Sequence, residues 1–161
     1  MKTINYKRFN SLKHISLDSL YEGNMNSFNL LKENIKNVIE FEAPLTLNTL
    51  KARMREAFDV AKISGKALDI IMGIINESYV VTEELYDLVI WPKSGVFRID
   101  YLRINSDRLI YDIPKDEFVN LVYEINKKGE ELYRAILKYF GLEVLTRKAF
   151  DYLSYIEKCS K

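Results

Sequence analysis

The chain has 161 residues, 24 Lys+Arg against 23 Asp+Glu, a net charge of +1 and 48% apolar side chains. This composition excludes intrinsic disorder, because enough apolar surface is available to offset the ordering entropy, and the length fits one compact domain or two small ones. With Cys159 the only cysteine and His14 the only histidine, an intrachain disulfide framework is excluded and a Cys/His zinc site has no ligand set.

The basic residues of the N-terminus are not followed by the apolar stretch of a secretory signal. The longest apolar runs, 88–91 and 70–72, fall far short of the roughly 20 residues a membrane-spanning helix needs. A single free cysteine fits a reducing compartment. The expectation is a cytoplasmic protein with no membrane partner.

Residues 1–29 are weakly patterned and read as a loosely held arm, with one short amphipathic turn formed by Ile15, Leu17, Leu20 and Tyr21. From Leu30 the helix period sets in. Leu31, Ile35, Val38 and Ile39 share a face, and Pro44 closes this helix. Thr46 or Asn48 can cap the next one, whose buried side is Leu50, Met54, Ala57 and Phe58. Ser64 caps a third helix with Ala67, Ile71, Ile74 and Ile75 inside. Residues 79–81 and 85–91 are rich in β-branched and aromatic side chains and read as strands joined by a solvated turn at 82–84. Further short extended pieces are expected at 96–104 and 109–113. Pro114 then opens a new helix with Phe118, Leu121, Val122 and Ile125 on one face. A helix over 131–140 ends at Gly141, and Thr146 caps a last helix with Ala149, Phe150, Leu153 and Ile156 inside.

The expected fold is mainly helical, of the α+β class. Residues 30–113 form a winged-helix-like unit of three helices and a β wing, and residues 114–161 a second three-helix unit packed on it. The two units read as an internal duplication. Leu50, Phe58, Ile63, Lys66, Ala67, Asp69 and Ile71 precede Leu132, Phe140, Leu145, Lys148, Ala149, Asp151 and Leu153 by 82 positions without a gap, and the caps Ser64 and Thr146 fall in the same register. The competing reading is that amphipathic helices align easily with one another.

The run Glu42, Ala43, Pro44 with Leu47, Leu50 and Phe58, the segment 88–92, the start at 113–117 and the stretch from Glu131 to Gly141 carry a resemblance. Over roughly residues 35–158 the chain resembles a domain of unknown function near the C-terminal end of large bacterial helicase-like proteins of superfamily 1. The resemblance implies no catalytic residues, since ATP hydrolysis and nuclease chemistry in such proteins belong to other domains. This chain holds no Gly-x-x-x-x-Gly-Lys-Ser/Thr phosphate loop. It reads as an excised piece or a free-standing copy, with helicase motor domains as a partner in cis or in trans.

Catalysis, a metal site and a cofactor are not expected. His14 reads as a surface residue of the arm, and Cys159 as a bystander thiol despite Lys158 and Lys161 nearby. The carboxylate pairs at 116–117 and 130–131 suit helix first turns. No Glu-x-Lys is present to complete a restriction-type metal site.

The candidate ligand is DNA. In a helix-turn-helix the second helix meets the major groove with its N-terminal residues, and free N–H groups there attract phosphate. That selects Lys62, Ser64 and Lys66 with Arg53 and Arg55 in one unit, and Thr146, Arg147 and Lys148 in the other, with Arg98 and Arg103 after the wing. The charge is evenly spread: segments 1–29, 30–76, 77–113 and 114–161 carry +2, +1, −3 and +1. No segment has the basic footprint of an independent DNA-binding domain, and Glu83, Glu84 and Asp87 make the wing acidic. The expected function is therefore a non-catalytic accessory domain that contacts nucleic acid. The alternative is a protein docking or oligomerisation module, which an acidic wing suits.

Overall fold

The computed structural model describes residues 2–160. The protein is α+β, with seven α-helices and two small sheets among the described residues. It folds as two compact units: one takes residues 7–83 and 87–96, the other residues 2–6, 84–86 and 97–160.

The first unit contains helices α1 (Leu17–Tyr21), α2 (Met25–Glu42), α3 (Leu47–Phe58) and α4 (Gly65–Ser78). Its strands are β2 (Leu45–Thr46), β3 (Val80–Glu83) and β4 (Leu88–Trp91), in the antiparallel order β2-β4-β3 with Leu45 and Val81 both opposite Ile90. The apolar stripes lie where the helix period put them. Leu31, Ile35, Val38 and Ile39 of α2 meet Leu50 and Met54 of α3 and Ile71 and Ile75 of α4. Burying such side chains contributes about 1.5–3 kcal/mol each relative to leaving them exposed.

The expected arm is built into this unit from residue 7 on. Ile15 is only 1% exposed and Leu20 is buried with it in the core. The Ile15 N–H donates to the Ala57 carbonyl at 3.0 Å, and Asn34 clasps the Lys13 backbone by bonds of 2.8 and 3.0 Å. A segment held by side-chain clasps and single apolar anchors has no period, which is why its packing is not visible as a pattern. Helix α2 also starts earlier than Leu30, because Asn24 caps it by accepting from the Ser27 N–H at 3.1 Å.

The second unit pairs β1 (Lys2–Asn5) with β5 (Tyr101–Ile104) in parallel, Thr3 opposite Leu102. Helices α5 (Val119–Ile125), α6 (Gly129–Tyr139) and α7 (Arg147–Cys159) complete it. Phe118, Leu121, Leu132, Ile136, Tyr152 and Leu153 centre its core. Of the extended pieces expected at 96–104 only 101–104 is a strand, and residues 110–112 form a 3-10 turn instead. That turn is closed by the Asp112 N–H donating to the Leu109 carbonyl at 2.8 Å. After Pro114 the chain makes a second 3-10 turn over 115–118 before α5.

The units cut the sequence at other points than 29/30 and 113/114. Residues 7–29 share a core with the first unit's helices, and residues 97–113 lie with the second unit's helices. The reason is that Leu102, Ile110 and Ile113 bury against Phe118 and α7. Apolar burial, not sequence proximity, decides membership.

Candidate nucleic-acid interface

Two of the selected basic residues are inside. Arg53 is buried and forks onto Glu42, its Nε and Nη2 donating at 3.0 and 2.8 Å. Arg103 is buried too and donates through Nε and Nη2 to Glu117 at 3.1 and 2.8 Å. Arg108 joins the same carboxylate at 2.8 Å, and the Tyr6 ring lies 4.9 Å from the Arg103 and 4.2 Å from the Arg108 guanidinium. Burial opposes the charge on Arg103, but the hydrogen bond and charge of Glu117 outweigh it and raise its pKa. Burial likewise opposes ionisation of Glu117, and Arg108 with Arg103 holds its carboxyl below the usual range. Guanidinium groups so engaged are not available to phosphate, so Arg53 and Arg103 leave the candidate interface. A sequence signal exists for the first pair. Arg53 falls in the stripe of Leu50, Met54 and Ala57, and Glu42 follows Val38 and Ile39 on the buried face of α2. A charge at a buried-face position needs a partner.

The other candidates lie at the surface. Lys62, Ser64, Lys66, Arg98, Thr146, Arg147 and Lys148 are exposed, and Arg55 is half-buried. In the first unit Ser64 caps α4, its Oγ accepting from the Ala67 N–H at 3.2 Å and pairing with the Tyr21 hydroxyl at 2.9 Å. The Lys66 ammonium sits 4.4 Å above the Tyr21 ring. In the second unit Thr146 caps α7 by accepting from the Ala149 N–H at 3.1 Å. Lys148 lies 3.9 Å from the Tyr111 ring and 5.0 Å from the Tyr86 ring. Arg147 is 91% exposed, with Asp151 3.4 Å away one turn on. Each helix start thus combines a hydroxyl cap with a lysine two residues later, resting on tyrosine. Tyr21 and Tyr111 were not selectable from sequence, because an aromatic at a helix or turn reads first as core. Cation–π contact restricts a lysine without removing its charge.

The acidic turn is not uniformly solvated. Glu83 is exposed. Asp87 accepts from the Asn48 and Leu88 N–H groups, each at 2.8 Å. Glu84 is largely buried in the second unit, where Oε1 accepts from the Lys115 N–H at 3.1 Å and Oε2 is buried without a partner. Burial, with Asp116 adding like charge, pushes its carboxyl up to about 7.

The second unit also bears an open, mostly apolar groove of about 530 Å³. Leu109, Tyr111, Leu142, Val144, Thr146 and Ala149 are among the residues that line it. Val144 is 73% and Leu109 53% exposed. His14 is exposed on a polar cleft of the first unit beside Arg8 and Glu56, which are ion-paired. Among the described residues no three His, Cys, Asp or Glu side chains converge on a metal site. No described helix is long and apolar enough to cross a membrane.

The chain matches no protein-family model, no curated protein and no solved structure.

Proposed function

We propose that this chain is a non-catalytic accessory domain that contacts nucleic acid through its basic helix starts. The observation that carries this reading is the repeated arrangement at α4 and α7. A capped N-terminus presents Lys66 or Lys148, fixed on tyrosine, with Lys62 or Arg147 beside it. Free helix N–H groups and a localised ammonium suit a phosphate. The order α2, β2, α3, α4, β3, β4, with β2 beside β4, supports a winged-helix reading of the first unit. The spacing of 82 between the two capped lysines supports duplication. The resemblance to the C-terminal domain of helicase-like proteins supports a helicase context in the cytoplasm, with DNA as ligand and motor domains as partner.

The test is fluorescence anisotropy of the full chain with labelled duplex, single-stranded and forked DNA across a salt series. Binding that falls with salt is expected. Lys66→Glu with Lys148→Glu weakens it and flattens the slope of log K against log salt by about two. Identical binding by the double variant would rule out these helix starts, and no binding at low salt would overturn the reading. A second reading, a docking module, is favoured by the exposed apolar groove at Leu109, Leu142 and Val144. Size-exclusion chromatography with light scattering separates a self-associating chain from a monomer.

A further inference from the structure

Glu84 belongs to the three-residue segment 84–86 that lies with residues 97–160. Its Oε1 stands 3.4 Å from the Tyr152 hydroxyl as well as 3.1 Å from the Lys115 N–H. Tyr152 has one proton, and that proton is committed to the Ile113 carbonyl in a close contact. A carbonyl oxygen can only accept. The Tyr152 oxygen is therefore left as an acceptor toward Glu84, and only a protonated carboxyl has something to donate. Oε2 is buried with no partner, which an ionised carboxylate tolerates far less well than a neutral acid.

We infer that Glu84 is a proton-controlled latch: seated as the neutral acid between Lys115 and Tyr152, it holds segment 84–86 in its unit, and ionisation unseats it. The groups facing it are unbalanced. Burial is the largest cause that opposes the charge; among the charged neighbours Lys115 favours it and Asp116 opposes it. On α7, Tyr152 is shifted upward by burial and then by Glu84, with smaller contributions from Tyr155 and Glu117, and Tyr155 by burial, then Cys159, then Glu84. None of these supplies a counter-charge. Tyr86, two residues on, is 6.1 Å from the Tyr152 ring and 5.0 Å from the Lys148 ammonium. The latch consequently sets whether Lys148 keeps its second aromatic contact.

The sign follows from the direction of the shift. The folded pKa, about 7, lies above the ordinary 4.5. The stabilisation is complete below the ordinary value and is lost as pH rises through the folded one. Glu117, held low by its arginines, behaves oppositely and weakens only on acidification.

The experiment is a carboxyl-carbon NMR titration of the full chain with amide hydrogen exchange at Lys115 from pH 6 to 8, corrected for intrinsic rates. Glu84 is expected to titrate near neutrality, and Lys115 to lose about tenfold in protection across that range. Glu84→Gln, which keeps a donor and an acceptor, holds its protection constant. Asp116→Asn moves the Glu84 midpoint down. A Glu84 midpoint in the ordinary carboxylate range, or the same Lys115 profile in wild type and Glu84→Gln, would overturn the latch.

Discussion

Arg53 and Glu42 are eleven positions apart on successive helices, and their pairing turns two apparent surface charges into a core contact. Taking both groups out of water is costly, and the fork geometry with an added bond from the Phe9 N–H at 3.1 Å offsets that cost. Arg53→Met leaves the Glu42 carboxylate buried with its main counter-charge gone. We expect a loss of about 3–5 kcal/mol in urea unfolding. Adding Glu42→Gln to Arg53→Met recovers part of it, because the stranded charge is removed. A single variant as stable as wild type would mean that water reaches the carboxylate. The same residue-scale logic separates Lys66 and Lys148, which rest on aromatic faces at the surface, from Arg103, which lies under Tyr6. Sequence selects Arg53, Lys66, Arg103 and Lys148 alike as phosphate contacts; only burial distinguishes a charge that is offered from one that is spent.

At the scale of the element, the helices are the legible part. Ser64 and Thr146 cap α4 and α7 as expected, and of the two candidates for α3 it is Thr46, not Asn48, that caps, each accepting from the N–H three residues on. Thr146→Ala should lower stability by about 1 kcal/mol, read in thermal unfolding. Gly141 follows α6 at φ +67°, and a Cβ there would meet nothing within 4 Å. Gly141→Ala therefore isolates the backbone term and should cost about 1–2 kcal/mol. No loss in Gly141→Ala would mean that the turn after α6 readjusts. The strands and turns were less legible. The hairpin of β3 and β4 followed from β-branched and aromatic runs, whereas β1 offers four exposed residues with no alternation. The 3-10 turn at 110–112 replaced an expected strand because an apolar run before Pro114 fits either conformation.

At the scale of the molecule, the N-terminal strand belongs to a unit whose remaining residues follow some 80 positions later. It is held there by the parallel register with β5, by the Tyr6 N–H donating to Ile104 at 2.8 Å and by the Tyr6 ring against two arginines. Tyr6→Ala should speed amide exchange in β5 while the amides of α2, α3 and α4 keep their protection. A loss spread evenly over both units would contradict this assignment of β1. The acidic turn between β3 and β4 belongs here as well. Its residues 84–86 lie with the second unit, so a segment read as a solvated connection contains the least solvated glutamate of that turn.

The sequence by itself determined most of the helices and of their buried faces, the caps Ser64 and Thr146 and the α+β class, but not that Phe150 of α7 is 38% exposed while Tyr152 is buried. These rest on bonds between residues three or four apart and on a period that repeats within one helix. The tertiary structure alone decided that residues 7–29 are packed, that β1 pairs with β5, that Arg53 and Arg103 are buried and that Glu84 is largely so. Those outcomes depend on which distant surfaces exclude water from a given group, and desolvation leaves no local pattern in the chain.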